Sequence, residues 1–205
     1  MMHIKPPAVA GFFYPDSAQV LRDTVQGFVR DAHAESTERP RALIAPHAGY
    51  QYSGPIAASA YATLAPWADG IRRVAVLAPS HRVPFRGIAT SSADLFRTPL
   101  GDIAVDRVAV NRLQEMPAVH MLDAAFAEEH ALEVQLPFLQ AVLPDFTLVP
   151  LIVGEAHQAP RPLGLEDGQA RVLTRRVDAG HRPAADGCAA MIRPADRIIA
   201  APCSS

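Results

Sequence analysis

The sequence lacks the features of several large classes of protein. None of its apolar runs is long enough to span a bilayer, and its first residues contain no hydrophobic segment of signal-peptide length. We therefore expect a cytoplasmic protein with no membrane partner. The formal net charge is only −2, which gives no electrostatic reason to expect a nucleic-acid partner. The two cysteines, Cys188 and Cys203, both lie near the C-terminus and do not suit a disulfide framework.

Aromatic residues are missing from the last quarter of the chain. The 13 aromatic residues all fall between Phe12 and Phe146, whereas residues 154–205 contain none and are rich in Ala, Arg, Pro and Gly. A buried core layer normally draws on aromatic and branched side chains, so we expect this segment to add little to the core. The chain therefore divides into a domain over residues 1–153 and a tail over residues 154–205, for which disorder is one expectation.

The first 153 residues show the alternation of apolar runs and amphipathic segments that is typical of an α/β domain. Short apolar runs predict strands, and segments with helical spacing predict helices. The predicted strands cover residues 42–45, 74–78, 87–91, 103–105 and 146–153, and the predicted helices cover 17–34, 53–64, 106–115 and 128–142. Two strands joined by a helix form a parallel, right-handed unit. We expect a single domain with a central mixed, largely parallel sheet flanked by helices.

A histidine follows a proline at the end of two predicted strands. His47 comes directly after Pro46, and His81 lies two residues beyond Pro79. Because ligands bind outside the carboxyl ends of strands in open α/β sheets, we expect both imidazoles to face one crevice. Such a pair suits a divalent transition metal such as Fe, Cu or Zn. The alternative is that each histidine binds only backbone groups at its strand end.

A second group of chemically active side chains lies on the predicted helix over residues 128–142. Glu129, His130 and Glu133 are spaced to lie near one another there. His130 is a candidate acid or base, or a residue that supports a metal ligand. On the pattern alone, a solvated helix face is the favoured explanation of these residues, because glutamate at a helix N-terminus also suits the helix dipole.

Five sequence blocks carry a family resemblance over about residues 6–153. The blocks are AVAGFFYP at 8–15, IAPHAGY at 44–50 with YSGP at 52–55, PSHRVP at 79–84, SSAD at 91–94 with FRTPLGD at 96–102, and EHALEVQLPF at 129–138. In this order they resemble the Memo family, whose bacterial branch is called AmmeMemoRadiSam system protein B. The family is similar in fold to the class III, LigB-type extradiol dioxygenases.

The resemblance implies a pocket and its ligands. His47 and His81 match the two histidines that line the family pocket and bind iron or copper, and Phe13 matches an aromatic position at its mouth. Tyr50 and Tyr52 would lie near the same pocket, as would two members of the last block, Glu129 and His130. Animal members of the family are described as binding a phosphotyrosine peptide and as metal-binding redox proteins. A small molecule or a peptide is therefore the expected partner.

The tail departs from the family pattern. The Ser-Ser-Asp-x-Ser-His motif and the Cys-Gly block that follow in the family, the latter supplying a third metal ligand, are not found in residues 154–205. Metal binding by two histidines alone is expected to be weak. Lys5 is the only lysine beside 18 arginines, which indicates a GC-rich coding sequence. A frameshift near Gly154, with the missing motif encoded in another reading frame, would explain such a tail, and genuine divergence is the alternative.

The sequence leaves three interpretations of function open. The first is a metal-dependent oxidoreductase resembling the class III dioxygenases, with His47 and His81 as ligands. The second is a non-enzymatic protein that binds a metal or a peptide through a vestigial pocket. The third is a nonfunctional product of a damaged gene.

Overall fold

A computed structural model describes residues 2–33 and 39–155, so the predictions made for the tail lie outside the described residues from position 156 onward. The described part contains seven strands and six α-helices. The strands are β1 Ile4–Lys5, β2 Arg73–Pro79, β3 Ile88–Thr90, β4 Leu95–Thr98, β5 Gly101–Ala104, β6 Val119–Met121 and β7 Thr147–Val153. The helices are α1 Ala18–Asp31, α2 Tyr50–Ala62, α3 Arg107–Gln114, α4 Ala124–Ala127, α5 His130–Glu133 and α6 Leu136–Val142.

The strands form two mixed sheets. The larger has the order β2-β7-β3-β6, in which β2 and β7 are parallel, β7 and β3 antiparallel, and β3 and β6 parallel. The smaller has the order β1-β4-β5, with one parallel and one antiparallel pair. Helices flank the sheets, so the prediction of a single α/β domain with mixed strand pairing is confirmed.

The centre of the larger sheet is the parallel pair β2 and β7. Both strands are seven residues long and bury the five residues between their ends, and they pair in register from Arg73 with Thr147 to Pro79 with Val153. Strands buried on both faces read as continuous apolar runs instead of alternating patterns. This is why residues 74–78 and 146–153 predict the pair well. β2 ends at Pro79, two residues before His81, so the pair places that histidine at the carboxyl end of the sheet.

Two predictions near the first histidine are wrong. No strand forms over residues 42–45, although Leu43 and Ala45 are buried, and β2 pairs with β7. The expected parallel unit of two strands and a helix is therefore not formed in this region. The helix that follows begins at Tyr50 and has Gly49 as its N-cap residue, three residues earlier than predicted. An apolar run of four residues fits a buried extended segment as well as a strand, which explains the first error.

Two further elements differ from the prediction. The expected helix over residues 128–142 is two short helices, α5 and α6, and its proline, Pro137, lies in the first turn of α6. Proline at that position leaves no helical hydrogen bond unmade, so it starts a helix more readily than it interrupts one. The strand β4 was not predicted. It pairs with β5 across a turn at Gly101, whose φ of +129° favours glycine.

No helix in the described part of the chain is long and apolar enough to cross a membrane.

Candidate metal centre

Three histidines from separate parts of the chain converge at the carboxyl end of β2. His47, His81 and His130 each offer a ring nitrogen, and these ligand atoms all lie within 4.8 Å of one another. The ring centroids are 5.2 Å apart for His47 and His81, 5.6 Å for His47 and His130, and 4.7 Å for His81 and His130. The convergence of His47 and His81 agrees with the sequence-based expectation, and His130 joins them as a third possible ligand.

The segment that carries His47 is fixed from both sides of the histidine. The side chain of Gln135 donates to the carbonyl of Pro46 at 3.2 Å, immediately before His47. On the other side, the backbone N–H of Tyr50 donates to the carbonyl of Phe13 at 2.8 Å, and its hydroxyl donates to the carbonyl of Val134 at 2.7 Å. His47 itself is buried. The turn over residues 46–50, which precedes α2, is therefore held by contacts to Phe13 and to the residues that join α5 and α6.

His81 is oriented by one buried carboxylate. The backbone N–H of His81 donates to Oε2 of Glu129 at 2.6 Å, and its Nδ1 lies 2.8 Å from Oε1 of the same group. A carboxylate accepts only, so the proton of a neutral imidazole is favoured at Nδ1, and the lone pair at Nε2 is left for a ligand. The Glu129 side chain is fully buried, whereas that of His81 is 39% exposed. Solvent can therefore reach the ring of His81 but not the carboxylate of Glu129.

His130 begins α5 and is enclosed by rings. It stacks on His81 with an interplanar angle of 24°, and its centroid lies 4.5 Å from that of Phe13. Its Nδ1 is 3.3 Å from Oε1 of Glu129, so one carboxylate lies beside two of the three imidazoles. This geometry brings Phe13, Glu129 and His130 together, as the family resemblance implied.

The environment favours neutral imidazoles beside an ionised carboxylate. Burial, with smaller effects from His81 and His130, lowers the pKa of His47 to about 4. The pKa of His130 is lowered as well, again mainly by burial. Burial alone would raise the pKa of Glu129, but hydrogen bonds from the His81 side chain and from backbone N–H groups outweigh it and lower this pKa to about 2. Near neutral pH the lone pairs of His47 and His130 are therefore available to a cation.

One ring nitrogen of the cluster has an unsatisfied hydrogen-bonding capacity. Nδ1 of His47 is buried and has no hydrogen-bond partner among the described residues. Leaving a buried polar atom unpaired costs about 1–3 kcal/mol. A bound cation or an ordered water at the cluster would remove that cost, so the donor set and the unpaired atom both fit a metal site.

The two tyrosines expected near the pocket lie in different surroundings. Tyr50 is buried, with its ring 4.9 Å from Phe138, and it supports the loop before α2. Tyr52 lies on the exposed side of α2 and is 76% accessible to solvent. No ring contact within the described residues joins either tyrosine to the three histidines. Tyr50 helps to position His47 through its hydrogen bonds to Phe13 and Val134.

Glu133 has a role that sequence reasoning missed. It is buried and accepts four hydrogen bonds from the N-terminal segment: from Lys5 Nζ at 2.9 Å, the N–H groups of Ala8 and Val9 at 2.8 and 3.0 Å, and the Tyr14 hydroxyl at 2.6 Å. These contacts fix the segment that carries Phe13 against α5. The adjacency of glutamates on one predicted helix gave no sign that Glu129 and Glu133 serve different partners.

Comparison with known proteins gives a match over most of the chain. Residues 5–161 match the family model described as Memo-like protein. This chain belongs to the Memo family. It is 37% identical to Protein MEMO1 of Mus musculus and of Homo sapiens over 156 residues, which is 73% of this chain and 51% of each relative. It is also 36% identical to a MEMO1 family protein of Methanobrevibacter smithii over 163 residues, 74% of this chain and 57% of the relative.

The shared region is only part of these relatives. The chain spans about half the length of the curated Memo family proteins that it matches. The matched region contains His47, His81 and His130, so the histidine cluster lies wholly within it.

Proposed function

We propose that this Memo family chain binds a divalent transition metal through His47, His81 and His130. The observation that carries the proposal is the convergence of three ligand atoms within 4.8 Å of one another. Metal–nitrogen bonds of about 2.1 Å require ligand atoms no more than about 4.2 Å apart, so a slight approach of the rings is enough. Imidazole ligation suits Fe, Cu and Zn, and iron and copper are the metals that the family resemblance favours.

The third histidine changes the expected strength of binding. Two imidazoles would leave most of the coordination sphere to water, which is the basis for predicting weak binding from the sequence. With His130 the site has three protein ligands, the number that catalytic sites generally use while keeping a position open. We therefore expect tighter binding than two histidines would give. As a ligand, His130 would no longer be free to act as an acid or base.

The function that this site supports best is a metal-dependent oxidoreductase resembling the class III dioxygenases. A bound iron or copper ion would supply redox and Lewis-acid chemistry. The residues of the chain would hold and surround it. Glu129 fixes the ring of His81, the ring of Phe13 packs beside His130, and the burial of His47 limits the access of water to that ligand.

A non-enzymatic binding function is the second candidate. Phe12 is 85% exposed beside Phe13, and Tyr52 is exposed on α2. Exposed aromatic side chains are enriched at protein interfaces, so a peptide partner near the site is supported by this feature. The two candidates differ in whether a metal-loaded protein turns over a substrate.

Metal binding is tested by titration calorimetry with Zn(II), and with Fe(II) under anaerobic conditions. We expect His47→Ala, His81→Ala and His130→Ala each to weaken binding by about tenfold or more, since each removes one of three ligands. His120→Ala is the matched control, because His120 lies exposed on β6 outside the cluster. Unchanged affinity in all three cluster variants would show that the metal binds elsewhere.

Turnover is tested by oxygen consumption of the Fe(II)-loaded chain with a catechol. We expect consumption that requires both the metal and the catechol and that is lost in His81→Ala. Tight metal binding without oxygen consumption would favour the non-enzymatic candidate instead.

A further inference from the structure

Arg82 presents a positive charge at the rim of the histidine cluster. It follows His81 directly, its side chain is exposed, and it makes no hydrogen bond or ion pair within residues 2–33 and 39–155.

Arg82 and His81 line the same cavity. The cavity has a volume of about 180 Å³, and its other lining residues are Ser80, Val83, Pro84 and Glu155. The side chain of His81 is accessible from this cavity, because it is 39% exposed, and its Nδ1 is occupied by Glu129. A small ligand in the cavity would therefore meet the free side of His81 and the guanidinium of Arg82 together.

We propose that Arg82 determines ligand specificity by binding the carboxylate of a small anionic substrate whose other end reaches the histidine cluster. The inference rests on the proposed function, because the cluster is taken as the metal site. Arginine presents two parallel N–H donors that match a carboxylate, and such charge-assisted pairs are stronger than neutral ones.

The charges at the rim favour a group with one negative charge. Arg82 supplies one positive charge to the cavity. A phosphate dianion would bring a second negative charge toward the ionised Glu129, whose Oε1 lies 2.8 Å from Nδ1 of His81. Like charges at short distance disfavour that ligand, so a carboxylate is the better match.

The test compares two probes that differ only in the carboxylate. Dissociation constants of 3,4-dihydroxybenzoate and of catechol are measured by NMR titration on the Zn(II)-loaded chain and on the metal-free chain. We expect the unchanged protein to prefer the carboxylate by about tenfold and Arg82→Gln to lose that preference, because glutamine cannot make the charge-assisted hydrogen bonds that arginine makes to a carboxylate. Arg112→Gln, an exposed arginine on α3, is the control and should keep it.

Zn(II) affinity, measured in parallel, separates this inference from the proposed function. We expect Arg82→Gln to retain Zn(II) binding, since Arg82 is not a ligand. If neither protein binds Zn(II), the proposed function fails, and the metal-free titrations alone decide on Arg82. Equal binding of the two probes by the unchanged chain, or a preference that survives in Arg82→Gln, would overturn the inference. Displacement of the bound probe by inorganic phosphate more readily than by benzoate would overturn the carboxylate assignment.

Discussion

The carboxylate of Glu129 binds His81 at two points, its backbone N–H at 2.6 Å and its ring Nδ1 at 2.8 Å. A single buried group therefore fixes both the main chain and the ring orientation of an exposed histidine. Oε1 also accepts from the backbone N–H of Ala131 at 2.9 Å, which ties the start of α5 to the end of β2. The position of His81 relative to His130 is consequently set by Glu129 and not by the strand alone.

We predict that Glu129→Gln weakens metal binding without unfolding the chain. Glutamine has nearly the same shape and its carbonyl oxygen still accepts a hydrogen bond, but it carries no charge to hold the Nδ1 proton of His81. Loss of such a supporting carboxylate typically costs about 10–100-fold in metal affinity. Titration calorimetry with Zn(II) measures the change, and circular dichroism checks the fold.

Glu128→Gln is the matched control for this prediction. Glu128 neighbours Glu129 and is exposed, so its replacement changes the net charge equally without touching His81. Equal losses of affinity in the two variants would mean that Glu129 acts only through its charge at long range, which would contradict the orienting role.

The stability of the metal-free chain should fall as the pH drops below the histidine range. In the folded chain burial lowers the pKa of His47 from the ordinary 6.5 to about 4. Between those pH values the unfolded chain binds the proton and the folded chain does not, so each step toward lower pH favours unfolding. The full loss from this residue is about 3 kcal/mol, developed between pH 6.5 and 4. Urea unfolding from pH 8 to pH 4, in the presence of a chelator, measures it.

His47→Gln separates this residue from the other titrating groups. Glutamine does not titrate, so we expect the slope of stability between pH 6.5 and 4 to become smaller. Glu129 adds its own loss only at lower pH, because the pKa of that carboxyl is lowered from 4.5 to about 2 and its contribution disappears as the pH falls from 4.5 toward 2. An unchanged slope in His47→Gln would show that the imidazole is protonated in the folded chain.

Replacing Glu133 should destabilise the domain strongly. Its carboxylate is the shared acceptor for Lys5, two backbone N–H groups and the hydroxyl of Tyr14. Glu133→Gln leaves the charge of Lys5 unpaired at a largely buried position, and breaking a buried pair in this way costs about 3–5 kcal/mol. Tyr14→Phe removes one hydrogen bond of the same group and should cost only about 1–2 kcal/mol.

Urea denaturation compares the two variants, and a metal titration adds a second reading. Glu133 holds the segment that carries Phe13, which is not a metal ligand, whereas Glu129 holds the ligand His81. We therefore expect the metal affinity of Glu133→Gln to fall less than that of Glu129→Gln. Equal stability of Glu133→Gln and the unchanged chain would contradict the anchoring role.

The elements that the sequence predicts best are those with strong local patterns. Residues 74–78 and 146–153 are continuous apolar runs, and they form the buried pair β2 and β7. The matching positions of His47 and His81 after strand-like runs predict their convergence, although only one of the two runs is a strand. His47 still lies beside His81 because the buried extended segment before it ends near the carboxyl end of β2, as a strand would.

The remaining features depend on contacts between distant residues. β4 is four residues long and is stabilised by pairing with β5 and β1, which its own composition does not reveal. The roles of Glu129 and Glu133 differ only because one faces His81 and the other faces the N-terminal segment, 48 and up to 128 residues away along the chain. Local spacing cannot separate two glutamates on one helical pattern when their partners lie so far off.

Gly54→Ala should destabilise the domain, although alanine favours helices. A Cβ at this position of α2 would overlap Cε2 of Phe28 and lie 2.9 Å from its Cζ, so the ring of Phe28, which packs against the core, would have to shift. Such overpacking costs about 1–3 kcal/mol, more than the gain of about 0.5–1 kcal/mol from helix propensity. Gly27→Ala is the control, because a Cβ there meets only Arg30 at 3.8 Å, and it should stabilise α1. Thermal unfolding compares both variants with Gly54→Ala/Phe28→Leu, which should recover part of the loss. Stabilisation by Gly54→Ala alone would show that the ring of Phe28 does not pack tightly against position 54.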